Sequence, residues 1–314
     1  MKAEPESRVA RASVARGWWA TWAKALRLWI ATPQLIWSRD PVRYYEYLGD
    51  DVVEGENDHF RDPNRPLWLN LGCWRSARTH AEAAAALACL LAETAELRPY
   101  DALLDVGFGF AEQDFLWLER YGLKHITGLN ISPMQVAHAR ERANERGAAG
   151  RLALHEGSAT DMPFQAGTFD KVTALECAHH FEPRDRFFAE AFRVLRPGGR
   201  LAIADGLPLK GHEAPGLGTR MVLKRWAYPV QNFYARDVYE RKLAEAGFVD
   251  VRGRSIREDV FPGFTKYADL RRRGIPMESA VVRLDAADVE RGLALWSALG
   301  IDDYVIFSAD KPSR

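Results

Sequence analysis

The chain has 314 residues, with 43 basic and 43 acidic side chains, so its formal net charge is zero. A nucleic-acid binder usually carries a basic excess, and this chain has none. Apolar residues make up 47% and charged residues 27%, which is typical of a soluble globular protein. The length fits one large α/β domain with appendages, or two modest domains.

The three cysteines, Cys73, Cys89 and Cys177, form neither a CxxC pair nor a zinc-binding spacing. We therefore expect reduced thiols, no metal site and a cytoplasmic location. The longest apolar run, 83–92, is too short for a membrane span, and the basic residues in the first 27 positions argue against a secretory signal. Nothing in the pattern indicates an oligomeric state.

Residues 1–99 are predicted to form an N-terminal helical region that acts as a lid over the substrate. Seven of the ten tryptophans lie there. Between residues 15 and 30, a helical wheel places Trp18, Trp22 and Trp29 on one apolar face, opposite basic residues. Such a helix can pack on the core as a lid, or it can make a peripheral membrane contact. A second helix is predicted over 81–96.

Residues 100–206 alternate strand and helix patterns, which predicts a parallel, doubly wound sheet. The predicted strands are 102–106, 125–129, 152–155, 169–175 and 201–204, and the predicted helices are 111–121, 133–146 and 184–195.

The remaining chain divides into an irregular Gly/Pro-rich lid insertion at 207–234 and a C-terminal part at 235–314. The latter has a helix at 235–246, strands at 248–252 and 304–309, and a helical insertion at 261–300. The whole pattern predicts an α/β fold: a Rossmann-like, doubly wound, seven-stranded, mostly parallel sheet with an N-terminal helical lid.

The segment that decides the class is a strand running into a Gly-x-Gly turn, Asp105-Val-Gly-Phe-Gly-Phe-Ala111. Glycines there let the backbone turn sharply and a ligand lie against it. The dinucleotide fingerprint GxGxxG would need glycine where Glu112 stands. The segment instead resembles motif I of class I S-adenosylmethionine-dependent methyltransferases, with Ala111 at the position of the third glycine.

Three further segments match that family in order. They are Gly157-Ser-Ala-Thr-Asp-Met-Pro-Phe164, Phe169-Asp-Lys-Val172 and Leu195-Arg-Pro-Gly-Gly-Arg-Leu201. After the second strand, Gly128-Leu-Asn-Ile-Ser-Pro-Met-Gln135 is similar to a cofactor-contacting stretch of cyclopropane fatty-acid synthases. Asn130 stands where an acid usually holds the ribose hydroxyls, and Ser158 where an Asp often contacts adenine. Both can still form hydrogen bonds.

The resemblance implies S-adenosyl-L-methionine as the cofactor. The residues that it implies as cofactor contacts are Asp105, Gly107, Gly109, Ala111, Asn130, Ile131, Gln135, Ser158, Ala159, Thr160, Asn70 and Gly72.

Two segments resemble the branch that methylates small natural products, such as macrolides. Leu69-Asn-Leu-Gly-Cys-Trp74 is similar to its lid element, and Glu176-Cys-Ala-His-His-Phe181 to the stretch after its fourth strand. We therefore expect a small hydrophobic substrate in a pocket lined by Trp68, Trp74 and Trp226. Imidazole suits proton removal from a hydroxyl near neutral pH, so His180 is the predicted base, with His179 and Glu176 as further catalytic candidates.

Two other functions remain open at this point. The enzyme could methylate an isoprenoid, lipid or aromatic carbon through a carbocation, which aromatic side chains would stabilise. Arg220, Lys224 and Arg225 would then be placed either at a solvated face or on a substrate diphosphate. A non-catalytic cofactor-binding protein is the third alternative, although the intact motif I argues against it.

Overall fold

The structure is a computed structural model that describes residues 66–275 and 280–313. The predicted tryptophan-faced helix between residues 15 and 30, with Trp18 and Trp22, lies outside the described residues, and so does most of the predicted N-terminal lid.

Seven strands form one sheet in the order β3-β2-β1-β4-β5-β7-β6. Strands β1 to β5 are parallel, and β7 lies antiparallel between β5 and β6. The predicted Rossmann-like fold class is confirmed. The strands are β1 Leu103–Val106, β2 Ile126–Asn130, β3 Leu152–Glu156, β4 Phe169–Leu175, β5 Leu195–Leu207, β6 Val249–Ser255 and β7 Asp303–Asp310.

The described residues also form eight α-helices and two short 3-10 helices. The α-helices are α1 His80–Ala95, α2 Glu112–Arg120, α3 Pro133–Glu145, α4 Arg184–Val194, α5 Leu217–Arg225, α6 Arg236–Glu245, α7 Arg257–Arg272 and α8 Ala286–Leu299. The 3-10 helices are Ala178–His180 and Val230–Asn232. In the described part, no helix is long and apolar enough to cross a bilayer.

Two apolar cores cover the two faces of the sheet, as alternating side chains on each buried strand require. Leu103 packs with α1, α2 and α3 on one face, through side chains such as Leu91 and Trp117. Its neighbour Leu104 packs with α4 and α6 on the other, through Phe188 and Tyr239.

The lid insertion differs from its prediction as an irregular segment, because it contains the helix α5. No proline or glycine stands between Gly218 and Pro229, and residues Thr219 to Arg225 are compatible with a helix. Gly216 serves as the N-cap. Helix α7 likewise begins at Arg257, four residues before the predicted start of the helical insertion.

A buried ion pair joins the first turn of α2 to α3. Glu112 stands where a dinucleotide-binding loop would have glycine, and its Oε1 lies 2.5 Å from a guanidinium nitrogen of Arg142. The two side chains are only 5% and 8% exposed. The buried guanidinium of Arg142 therefore depends on the carboxylate of Glu112, since a buried charge is costly unless it is paired.

We expect Glu112→Ala to lower the free energy of unfolding by about 3 kcal/mol, because the guanidinium of Arg142 loses this carboxylate inside the protein. Urea denaturation measures the change. Glu119→Ala, on the exposed side of the same helix, is the matched control and should stay within about 0.5 kcal/mol of the parent. Equal effects of the two substitutions would contradict the role of the pair.

Candidate active site

A cavity of about 840 Å³ opens at the carboxyl ends of β1, β2, β4 and β5. Open α/β sheets bind their ligands at this edge. One part of the cavity is walled by the loops after β1, β2 and β3, and the other by aromatic side chains of the lid elements. The predicted site residues that line it are Trp68, Asn70, Gly107, Gly109, Asn130, Ile131, Gln135, Ser158, Ala159, Thr160, Glu176, His179, His180 and Trp226.

The glycine turn after β1 has a left-handed backbone. Gly107 has φ +75° and Gly109 has φ +58°. A Cβ on Gly107 would lie 2.7 Å from Sγ of Cys177, and one on Gly109 would lie 3.0 Å from Leu69. At Gly107, the close approach of Cys177 therefore requires glycine, in addition to any need to leave room for a ligand.

Four predicted contact residues do not line the cavity. Asp105 is fully buried beneath the glycine turn, where its carboxylate accepts hydrogen bonds from Gln113 at 2.9 Å and Thr173 at 2.7 Å. Burial raises the pKa of Asp105 to about 7. Asp105 thus supports the turn from below.

Ala111 is also buried behind the cavity wall, and as the N-cap of α2 it adopts φ 62°. Gly72 packs against Ala83 of α1, which leaves no room for a Cβ. Trp74 is 4% exposed and packs with Tyr267, while its indole N–H donates to the carbonyl of Leu71 at 2.8 Å. These residues shape the loops that line the site.

The cavity wall carries buried polar atoms that have no hydrogen-bond partner among the described residues. The Asn130 amide donates to Oε1 of Gln135 at 2.8 Å, which leaves Nε2 of Gln135 buried without a hydrogen bond. Oδ1 of Asn70, which also lines the cavity, is likewise buried without a hydrogen-bond partner among the described residues. A buried polar group without a partner is costly, so both atoms indicate a polar ligand.

Glu176 joins the segment 66–74 to the sheet. Its two carboxylate oxygens accept the backbone N–H of Leu71 at 3.0 and 3.1 Å, and Oε1 also accepts the hydroxyl of Tyr304 at 2.5 Å. The residue has φ 53°, a left-handed conformation that turns the chain away from β4. Glu176 therefore fixes the lid segment over the cavity.

His179 is paired with a carboxylate that sequence reasoning missed. Its Nδ1 lies 2.6 Å from Oδ1 of Asp205, which is fully buried at the end of β5. A carboxylate can only accept there, so Nδ1 donates the hydrogen bond, and in a neutral imidazole with this partner the lone pair is on Nε2. The ring also stacks on Tyr228, with centroids 5.1 Å apart. The sequence feature that could have indicated Asp205 is its position, as an acid at the carboxyl end of a buried strand.

His180 has a different environment. Its Nδ1 lies 3.1 Å from the carbonyl of Ala227 and donates to it. Burial lowers the pKa of His180 well below its usual value, and the neighbouring His179 lowers it further. The two adjacent histidines are therefore not equivalent: a carboxylate orients His179, while a neutral carbonyl holds a weakly basic His180.

Aromatic side chains from the lid insertion and the C-terminal helices form the rest of the cavity wall. The ring centroids of Trp226 and Trp296 are 5.9 Å apart. The ring of Trp296 also stacks on that of Phe261, with centroids 4.4 Å apart. Periodicity predicted helices in this region but not which faces meet the cavity. The aromatic lining residues here are Trp226, Tyr228, Phe261, Phe264, Tyr267, Trp296 and Tyr304.

Charged side chains are few in this wall. Within the described residues, no lysine or arginine lines the cavity, whereas Glu176 and Glu182 do. Arg220, Lys224 and Arg225 belong to α5 but not to the lining. The described wall therefore offers no cation to a substrate phosphate.

A family model described as a methyltransferase domain matches residues 104–203. The erythromycin 3''-O-methyltransferase of Saccharopolyspora erythraea is 41% identical over 282 residues, which cover 85% of this chain and 89% of that protein. The 27-O-demethylrifamycin SV methyltransferase of Amycolatopsis mediterranei is 33% identical over 265 residues, 81% of this chain and 95% of that protein. The chain belongs to the class I S-adenosylmethionine-dependent methyltransferases.

Solved structures agree with this methyltransferase in fold. The [4+2]-cyclase SpnF aligns with a TM-score of 0.63 at 23% identity, over 85% of this chain and 96% of that one. A geranyl diphosphate C-methyltransferase from Streptomyces coelicolor A3(2) aligns with a TM-score of 0.62 at 20% identity, over 81% and 97% of the two chains. At these identities the likeness shows the fold alone.

The cofactor of this methyltransferase is S-adenosylmethionine, and the polar atoms of the cavity fit it. Nε2 of Gln135 would donate to a carboxylate or hydroxyl oxygen of the cofactor. Oδ1 of Asn70 would accept from its ammonium group. The glycine turn and the 157–160 loop supply the surrounding backbone.

Glu176 should make the stability of the methyltransferase depend on pH. Burial raises the pKa of this carboxyl from its usual 4.5 to about 7, against the opposing hydrogen bonds of Tyr304 and Leu71. The folded protein then binds more protons than the unfolded chain between these values. Stability contributed by Glu176 is therefore complete below about pH 4.5 and falls as the pH rises to 7.

We expect Glu176→Gln to remove this part of the pH dependence. Between pH 5 and pH 7 the parent should lose about 2 kcal/mol of stability relative to the variant, by the linkage of proton binding to folding. Urea denaturation of both proteins at pH 5, 6 and 7 measures the difference. Parallel curves for the two proteins would show that Glu176 does not titrate in this range.

Proposed function

We propose that the enzyme methylates a hydroxyl group of a hydrophobic natural product, of the kind represented by erythromycin and rifamycin. The observation that carries the proposal is the pair of His179 and Asp205 at an apolar cavity. The two relatives named above, which this chain matches over most of its length, support the substrate class.

S-adenosylmethionine supplies an already activated methyl group, so the protein has to align the acceptor and remove one proton. In our proposal, Nε2 of His179 accepts the hydroxyl proton while the oxygen bonds the methyl carbon. The sulfur keeps the electron pair of the broken carbon–sulfur bond. Asp205 stabilises the imidazolium that forms and keeps Nδ1 protonated beforehand.

His179 is a better candidate than the predicted His180 because a carboxylate orients its ring, as in other general bases that act with an acid partner. The depressed pKa of His180 makes it a weak base. Its Nδ1 donates to the carbonyl of Ala227 rather than to a carboxylate. In this proposal His180 packs against the catalytic ring, with centroids 3.9 Å apart.

The charge of the wall favours this function over methylation of an isoprenoid diphosphate. A diphosphate requires cations for binding, and the described lining offers carboxylates and aromatic rings in their place. An uncharged or cationic acceptor suits such a wall.

We expect His179→Gln and Asp205→Asn each to lower turnover by about a hundredfold or more, the usual effect of losing a positioned base or its orienting carboxylate. Affinity for S-adenosylhomocysteine, measured by calorimetry, should change little. His180→Gln is the matched control and should retain most of the turnover. The reverse ranking of the two histidines would return the role of base to His180.

The acceptor can be tested directly with labelled cofactor. The probes are erythromycin lacking its 3''-O-methyl group, 27-O-demethylrifamycin SV and geranyl diphosphate. We expect the label on an oxygen of one of the first two, located by mass spectrometry and NMR, and none on geranyl diphosphate. A product methylated on carbon would contradict the proposal.

A further inference from the structure

Asn232 makes all of its side-chain hydrogen bonds to the segment that carries His179. It ends the 3-10 helix Val230–Asn232 in the lid insertion and is only 2% exposed. Its amide nitrogen donates to the carbonyls of His179 at 3.1 Å and Phe181 at 2.6 Å. Its Oδ1 accepts the backbone N–H of Arg184 at 3.3 Å, in the first turn of α4.

These three bonds fix both ends of a short turn. The segment 179–184 leads from the 3-10 helix Ala178–His180 into α4. The N–H groups of His180 and Phe181 donate to the carbonyls of Cys177 and Ala178, and the side chain of Asn232 binds the carbonyls of His179 and Phe181. An asparagine side chain has two donors and an acceptor on one planar group, so a single residue satisfies two carbonyls and one N–H.

The ring of His179 is held separately from its backbone. Asp205 binds Nδ1 at 2.6 Å, and Tyr228 stacks against the ring. Tyr228 also belongs to the lid insertion, and its single hydroxyl proton is shared between the carbonyls of Gly206 at 3.2 Å and Asn232 at 3.3 Å. The lid insertion therefore holds the histidine through its main chain and its ring face.

We propose that Asn232 is a positioning residue that sets the location of His179 for proton removal. This inference rests on the proposed function of His179 as the base. Asn232 does not line the cavity, so it acts on the reaction through His179 and not by touching the substrate or cofactor. A displacement of about 1 Å at a catalytic group can cost about a hundredfold in rate.

Asn232→Ala removes both donors and should lower turnover by about 10- to 100-fold, with little change in the affinity for S-adenosylhomocysteine. Asn232→Ser retains one donor and should show a smaller loss, which also provides a second variant if the alanine variant folds poorly. Val230→Ala is the matched control. Val230 begins the same 3-10 helix, is 46% exposed and does not line the cavity, so its truncation should leave turnover unchanged.

A double-mutant cycle separates positioning from a general loss of structure. If Asn232 acts through His179, Asn232→Ala should change the residual single-turnover rate of His179→Gln by no more than about twofold. The acceptor is whichever O-demethyl erythromycin or rifamycin probe the parent methylates. The same large loss in both backgrounds, or no loss in the parent, would overturn the inference while leaving the base assignment intact. Full activity of His179→Gln alone would overturn both.

Discussion

Buried carboxylates at the ends of strands are the constraint on which the site depends. A carboxylate removed from water must receive hydrogen bonds, or its burial costs more than the fold can recover. Asp105 is the next-to-last residue of β1, Glu176 directly follows β4, and Asp205 lies in β5. Each obtains its donors from a different part of the chain, and so each fixes that part in place.

The donors show what each carboxylate positions. Asp105 accepts a hydrogen bond from Gln113 and thereby supports the glycine turn. Glu176 accepts one from the backbone N–H of Leu71 and thereby holds the segment 66–74. Asp205 accepts one from Nδ1 of His179. The glycine turn, the segment 66–74 and the proposed base are thus all anchored at the same edge of the sheet. A rigid scaffold aligns groups from separate loops in this way.

The sequence was sufficient for the fold, because strand-to-turn-to-helix segments are local. The Gly107 turn and the Asn130 loop lie where motif spacing placed them. Asp105 was assigned to the cofactor because the sequence shows its position next to the turn but not the face to which its side chain points. The proposed preference for His179 over His180 could not be derived from the sequence for a similar reason, because it depends on Asp205, which is 26 residues away along the chain. The aromatic wall could not be derived, since amphipathic helices reveal an apolar face but not what it packs against.

The protonation of His179 in the resting enzyme tests the central claim most directly. Nitrogen-15 NMR of histidine-labelled protein distinguishes the two neutral tautomers, and the loss of one signal in His179→Gln assigns it. The account predicts that His179 carries its proton on Nδ1 near neutral pH, bonded to Asp205, and that Asp205→Asn weakens this preference. A His179 that carries its proton on Nε2 in the parent enzyme could not accept a proton from the substrate there, and would contradict the account.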